Sequence, residues 1–169
     1  SRIFPRIPER VSFRMLARAF SSELEKAPAK VVGMLPLKKD VGCTTVTARL
    51  ASELAATDKK VLVLTSDNAS AAPWRTIEND QISFDQLLQG AGEQPKSKLT
   101  TVELSGAAND KIKDALSRAR ERFDVVLFDL PAFFEKDEAF DYLEMCDASV
   151  LVIKAGQTPP GAIPRIHQI

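Results

Sequence analysis

The amino-acid sequence predicts a doubly wound α/β fold, in which a mainly parallel sheet carries helices on both faces. Apolar runs rich in β-branched residues, such as 31–35, 61–64 and 125–128, are continuous rather than alternating. Continuous runs are typical of parallel strands that are buried on both faces. Stretches with helical spacing of their apolar residues separate these runs, and this alternation favours right-handed crossovers between parallel strands.

In the first half of the chain, two prolines within residues 1–8 favour an extended lead-in. Apolar side chains recur at helical spacing from Phe13 to Leu24 and predict the first helix. The charged turn at 58–60 then separates a helix from a strand. The elements predicted here are a lead-in (1–8), a helix (9–26), a strand (30–35), a helix (44–57), a strand (61–64) and a loop (65–80).

In the second half, Gly90 marks the end of a short helix, and the run at 123–129 is the strongest strand signal after the first. A polar amphipathic stretch precedes that run and predicts a longer helix. The elements predicted here are a helix (82–88), a polar linker (91–98), a strand (99–104), a helix (109–122), a strand (123–129), a short helix (139–145) and a strand (149–154).

The composition fits one globular domain over residues 1–169, with 44% hydrophobic and 27% charged residues. Lys+Arg and Asp+Glu both number 23, and this balance argues against nucleic-acid binding. The two cysteines favour a reducing, cytosolic compartment, and no apolar run approaches the ~20 residues of a membrane span. Because Ser1 stands where an initiator methionine is expected and Ile169 falls in a helix-like stretch, we expect a domain excised from a longer membrane protein.

The segment 38–45 lies between a predicted strand and a predicted helix, as a phosphate-binding loop does. In the pattern G-x-x-x-x-G-K-[ST], Gly42 is the second glycine and Thr44 the Ser/Thr residue. Leu37 stands at the first glycine and Cys43 at the lysine. A thiol cannot neutralise phosphate oxygens. The sequence therefore predicts a P-loop NTPase-like three-layer sandwich and argues against ordinary nucleotide chemistry.

Four loops are expected to meet at the carboxyl edge of the sheet, where ligands bind in this architecture. They are the segments 38–44, 65–67, 129–131 and 155–158.

With these landmarks placed, the chain resembles the bacterial tyrosine kinase (BY-kinase) domain of exopolysaccharide and capsular polysaccharide co-polymerases. More distantly, it resembles the MinD/ParA-type P-loop ATPases of cell division and plasmid partition. Six segments carry the resemblance in order: the F-R-x-L helix (13–16), the P-loop unit (31–54), the second acidic motif (59–67), a G-L-S-D-x-L-x-G-like segment (82–90), the Walker B strand (123–131) and an A-D-x-x-L-L-V-V-like segment (146–158).

Several positions depart from the family pattern. Thr65 replaces the first aspartate of the second acidic motif, and Lys39 and Asp40 replace small loop residues. Asp40 places negative charge beside the expected phosphates. Val11 stands where the oligomer motif has a glutamate, and Tyr142 is the only tyrosine, so the family's tyrosine cluster is missing.

The resemblance implies a role for each matching residue. Nucleotide would contact Lys38, Gly42, Cys43, Thr44 and Thr45, and Mg²⁺ would bind at Thr44 and Asp129. In an active enzyme, Asp67 and Asp129 would be catalytic. Arg14 and Arg18 would contact a neighbouring copy. If the loop no longer binds Mg-ATP or Mg-ADP, the chain has no cofactor.

Each of these residues also has a plainer interpretation. Thr44 or Thr45 would cap the helix, Lys38 would be solvated, and Asp129 would bond to loop amides. Cys43 is either a reactive thiol at a helix N-terminus or a small residue that fills the lysine's space.

Asp67, the arginines of the N-terminal segment and His167 also have interpretations that need no nucleotide chemistry. Asp67 alone would cap a turn. Arginines recur every four residues near the start of the chain and would form a stripe on a helix, which is a subunit contact, a solvated face or a site for anionic lipid. They are Arg2, Arg6, Arg10, Arg14 and Arg18. His167 has no expected metal role.

We expect a kinase-deficient BY-kinase-like domain at the cytoplasmic face of the bacterial inner membrane, with a regulatory or scaffolding role in exopolysaccharide polymerisation or export. Its expected partners are copies of itself and polysaccharide assembly or export proteins, with membrane attachment through absent parts of the parent chain. Two alternatives stay open: an active Mg-ATP-dependent tyrosine autokinase or ATPase that uses Lys38, and a MinD/ParA-like localisation protein.

Overall fold

The computed structural model describes residues 2–3 (backbone only), 13–26, 30–38, 42–66, 72–90, 95–104, 106–132 and 137–153. The predictions for Asp67, Lys39, Asp40, Val11, His167 and segment 155–158 lie outside these residues. The helices are α1 (Phe13–Lys26), α2 (Cys43–Ala56), α3 (Phe84–Gln89), α4 (Asn109–Arg122) and α5 (Glu138–Glu144), with a 3-10 helix at Ala72–Arg75. The strands are β1 (Arg2–Ile3), β2 (Val31–Pro36), β3 (Val61–Thr65), β4 (Asp80–Ile82), β5 (Leu99–Glu103), β6 (Val125–Asp129) and β7 (Ala148–Val152).

The described strands form one seven-stranded sheet in the order β1-β7-β2-β6-β3-β5-β4, and every neighbouring pair is parallel. The sixth strand therefore lies between β2 and β3. Its register places Asp129 beside Met34 on one side and beside Thr65 on the other. This arrangement confirms the predicted parallel α/β sheet.

Helices cover both faces of the sheet, as predicted. On one face, α1, α2 and the 3-10 helix pack on the sheet through residues such as Phe20 and Leu54. On the other face, α3, α4 and α5 pack through residues such as Leu87, Ile112 and Tyr142. Both sides of β2 are buried, which explains its unbroken apolar run.

The strand β2 is held closely at both its middle and its amino end. A Cβ at Gly33 would lie 2.9 Å from Leu130 Cδ1 and 3.1 Å from Cys146 Sγ, so a larger residue there would force these side chains to shift. The Asp147 carboxylate accepts hydrogen bonds from the Lys30 and Val31 N–H groups. It also accepts two from the Arg120 guanidinium, from Nη1 to Oδ2 at 2.6 Å and from Nη2 to Oδ1 at 2.8 Å. Burial alone would raise the pKa of Asp147, but these hydrogen bonds outweigh it and lower the pKa.

Two short elements were not predicted. Residues 72–75 form the 3-10 helix, and residues 80–82 form the edge strand β4, where the sequence predicts a loop and a helix start. The helix α3 begins later, at Phe84, because Ser83 and Gln86 form a capping box. Within the described residues, none of the helices combines the length and apolar character needed to span a bilayer.

Candidate functional site

The turn into α2 has the backbone conformation of a tight strand-to-helix loop. Gly42 precedes the helix with a positive φ of 78°, and its carbonyl accepts the first helical hydrogen bond, from Val46 N–H at 3.0 Å. Nothing lies within 4 Å of a Cβ built at Gly42, so the glycine is needed for its dihedral angle and not for space. Among the described residues no side chain caps this helix end, so a capping role for Thr44 or Thr45 is wrong.

Cys43, at the position of the phosphate-binding lysine, points into the protein. Its side chain is 8% exposed, and Sγ donates to the Met34 carbonyl of β2 at 3.4 Å. Burial and the nearby Asp129 carboxylate raise the pKa of the Cys43 thiol. The interpretation of Cys43 as a reactive thiolate is therefore wrong, because burial outweighs the helix N-terminus. The plainer interpretation, a small residue that fills the space, fits the geometry.

Thr44 and Asp129 form the centre of the site. The Thr44 hydroxyl donates to Asp129 Oδ2 at 2.7 Å, although 85 residues separate the two in sequence. Asp129 is only 2% exposed. Burial raises the pKa of Asp129 to about 6, and contacts with the Thr44 hydroxyl and the Cys43 thiol oppose this rise. This side-chain contact was not predicted for Asp129, and the loop residues 39–41, whose amides were among its expected partners, lie outside the described residues.

The described surroundings of Asp129 give this carboxylate no paired cation. None of the ion pairs of the described residues involves Asp129. Lys38 lies beyond the end of β2 with its side chain exposed. Thr65, in register with Asp129, donates its hydroxyl to the Val102 carbonyl at 3.3 Å. The described residues also hold no cluster of three or more His, Cys, Asp or Glu side chains that would bind a metal ion.

The structure thus brings Gly42, Cys43, Thr44 and Asp129 together. Thr45, like Lys38, is exposed nearby. On α1, Arg14 and Arg18 are exposed, while Ala17 and Phe20 pack on the core. The convergence of loops is visible where the Leu37 N–H donates to the Val152 carbonyl at 3.1 Å, which ties the end of β7 to this edge.

A cleft of about 900 Å³ opens at the carboxyl ends of β3, β4 and β5, beside the site. Trp74 and Phe84 contribute apolar surface to it, and Lys111 contributes a cation. The Trp74 indole N–H is buried and has no acceptor in the described part of the chain. Sequence reasoning missed this cleft, and the lone tryptophan at residue 74 was its only signal.

The chemistry of these groups suits a cation better than a polyphosphate. Hydroxyl and carboxylate oxygens, as at Thr44 and Asp129, are the ligands that Mg²⁺ prefers. A nucleotide's phosphates would meet the α2 N-terminus, which attracts anions, but also a neutral thiol and an uncompensated carboxylate. Among the described residues of this site, neither Cys43 nor Asp129 offers positive charge to the phosphates of a nucleotide.

The likeness of this chain to known proteins lies in its fold. No family model matches the sequence, and no curated protein matches it significantly. Solved structures do match the fold. The kinase domain of the Escherichia coli tyrosine kinase ETK superimposes with a TM-score of 0.59 at 18% identity, over 92% of this chain and 72% of that one. The VpsO kinase domain gives a TM-score of 0.63 at 22% identity, over 86% and 81%. The fold is that of a bacterial tyrosine kinase domain.

A second group of matching structures consists of cell-division ATPases. MinD from Pyrococcus furiosus gives a TM-score of 0.52 at 22% identity, over 73% of this chain and 59% of that one. The expected likeness of the fold to BY-kinase domains, and its more distant likeness to MinD, are confirmed. At these identities the likeness concerns the fold.

Proposed function

We propose that this chain is a kinase-deficient BY-kinase-like domain with a regulatory or scaffolding role in exopolysaccharide polymerisation or export. The fold shared with the ETK, BceF and VpsO kinase domains supports the BY-kinase-like part. The burial of Cys43 supports the loss of phosphoryl transfer, because a neutral side chain bonded to Met34 occupies the position of the catalytic lysine. The polysaccharide role, the partners and the place at the inner membrane rest on the resemblance to co-polymerase domains.

The loss of the lysine has a clear energetic consequence. A charge-assisted hydrogen bond contributes roughly 1.5–3 kcal/mol, so each lost contact weakens nucleotide binding by about 10- to 150-fold. Isothermal titration calorimetry with Mg-ATP and Mg-ADP tests this directly. We expect no binding heat up to millimolar nucleotide, and micromolar binding would overturn the proposal.

The variant Cys43→Lys shows whether the thiol is responsible. We expect it to gain measurable Mg-ATP binding, since it restores the cation beside the α2 N-terminus. Thr45→Lys is the matched control, because it adds the same charge at an exposed position two residues further along. If both variants gain binding equally, general charge and not the lysine position accounts for the effect, and the role assigned to Cys43 is wrong.

One observation favours an active enzyme as the second candidate. The Thr44–Asp129 hydrogen bond keeps two oxygen ligands in place for Mg²⁺. Lys38 would then supply the missing charge. In that case the unmodified chain turns over Mg-ATP, and Lys38→Met abolishes the turnover while Lys30→Met, at the opposite end of β2, leaves it unchanged.

A further inference from the structure

Two exposed surfaces of opposite charge lie at different ends of the molecule. The first is a basic cleft of about 720 Å³ at the amino ends of β3, β4 and β5. The second is the outward face of α5. Neither surface includes the Cys43–Asp129 site, which lies at the carboxyl edge of the sheet.

The basic cleft has a surplus of positive charge around an apolar floor. Its cations are Lys60, Lys96, Lys98 and Arg122, its carboxylates are Asp80 and Glu121, and its apolar residues include Ile82 and Phe123.

Most of these cations are available to a partner. Lys98 pairs with Asp58 at 3.3 Å, but both side chains are largely exposed, so the pair is weak. Asp80 is turned toward the Ser97 N–H at 2.9 Å. Lys60, Lys96 and Arg122 form no ion pair with a described carboxylate. The cleft thus offers net positive charge in a concave, partly apolar setting.

The outward face of α5 has the complementary chemistry. Asp137, Phe140, Asp141 and Glu144 follow the i, i+3, i+4, i+7 spacing that places residues on one side of a helix. All four are exposed, Phe140 to 46%, while the inward residues of the same helix pack on the core. The helix carries no lysine or arginine. Aromatic side chains are enriched in protein interfaces, and the carboxylates around Phe140 give this face a negative charge.

We infer that the acidic face of α5 in one copy docks into the basic cleft of a second copy. Charge complementarity identifies the occupant, since a chain with 23 basic and 23 acidic residues carries both partner surfaces itself. Within one copy, the two surfaces are too far apart to meet. The helix α5 packs near β2 through Leu143, whereas the cleft lies at β5 and β4, the last two strands of the sheet order. The contact must therefore form between two copies. A contact between two different surfaces is heterologous and builds a ring or a filament.

This inference deepens the scaffolding role proposed above and rests on it. The contact differs from the arginine face of α1, and it does not involve the nucleotide-type loop. A failure of this inference would appear in the association of the chain with itself. A failure of the proposed function would appear in the calorimetric titrations with Mg-ATP and Mg-ADP, so the two are distinguishable.

Light scattering coupled to size-exclusion chromatography tests the inference on the unmodified chain. At low ionic strength we expect the mass to rise with protein concentration, and we expect high salt to reverse this, because the Debye length falls from ~10 Å at 0.1 M to ~3 Å at 1 M. A chain that stays monomeric at every concentration in low salt overturns the inference.

Two variants identify the surfaces. The cleft variant is Lys96→Gln with Arg122→Gln, and the helix variant is Phe140→Ser with Glu144→Gln. Each alone is expected to associate at least about tenfold more weakly than the unmodified chain. Mixed in equal amounts, they are expected to form a dimer and nothing larger, because only one intact cleft and one intact helix face can meet.

Two comparisons complete the test. Lys26→Gln with Lys113→Gln removes two exposed cations outside the cleft and is expected to associate like the unmodified chain. If Arg14→Gln with Arg18→Gln abolishes association while the cleft variant does not, the contact lies on α1 and the inference is wrong. If the cleft variant binds less of an added acidic protein but self-associates normally, the cleft serves another partner, and the inference is also wrong.

Discussion

Replacing Asp129 with asparagine is expected to stabilise the protein at neutral pH. The carboxylate is 2% exposed, and no cation of the described residues pairs with it. Burial raises the pKa of Asp129 from 3.8 to about 6, which corresponds to about 3 kcal/mol of unfavourable free energy when the group is ionised. Asparagine removes the charge and keeps an oxygen that accepts from Thr44. Because its new amide also needs a partner, we expect a net gain of about 1–3 kcal/mol at pH 7.

The pH dependence distinguishes charge burial from a change in packing. Since the folded state binds this proton more readily than the unfolded state, the unmodified protein loses stability as pH rises from about 4 to 6. The gain from Asp129→Asn should therefore be about 1.3 kcal/mol smaller at pH 5 than at pH 7. Urea denaturation at pH 5, 6, 7 and 8 measures this difference.

Asp114→Asn is the matched control, because Asp114 is exposed in a surface pair with Arg118 and its replacement should change the free energy of unfolding little. A variant less stable than the unmodified protein at pH 7, or a gain that does not grow from pH 5 to 7, would refute the reasoning.

Further predictions concern the core. Gly33→Ala should lower the free energy of unfolding by about 1–3 kcal/mol, because its Cβ would overlap neighbouring side chains; urea denaturation measures this. Asp147→Ala should also destabilise, by about 1–3 kcal/mol, and the difference should shrink below about pH 4 as the carboxylate is protonated; acid titration of stability tests this. The thiols of Cys43 and Cys146 should resist alkylation at pH 8 until urea unfolds the chain, as mass spectrometry would show, because both are buried. Trp74→Phe should lower the free energy of unfolding by less than about 1 kcal/mol, because it removes a buried indole N–H that has no acceptor among the described residues. A larger loss of stability in thermal denaturation would contradict this.

Most of the fold could be predicted because its signals are local. The apolar runs at β2, β3 and β6 are continuous because helices cover both faces of the sheet. Each run can be recognised from its own residues, without knowledge of the rest of the chain. The helix predicted over 109–122 is observed as Asn109–Arg122. The strand β4 could not be predicted, because two of its three residues are polar and its pairing with Thr100 and its neighbours in β5 depends on the assembled sheet.

The site was predictable in position but not in chemistry. The meeting of Thr44 and Asp129 follows from the rule that parallel strands end at one edge. The inward turn of Cys43 and the raised pKa of Asp129 depend on how deeply both are buried, which no local pattern encodes. The cleft beside Trp74 also arises from tertiary packing alone.

The position of β6 decides when the sheet can be completed during synthesis of the chain. It separates β2 from β3 in the finished sheet, yet it begins only at residue 125. A nascent chain synthesised as far as residue 120 contains both flanking strands but not the strand that joins them, so the facing backbone edges of β2 and β3 have no partner. Closure of this gap unites the two halves of the sheet and, in the same event, brings Asp129 to Thr44. Synthesis must therefore pass residue 129 before Asp129 and Thr44 can meet.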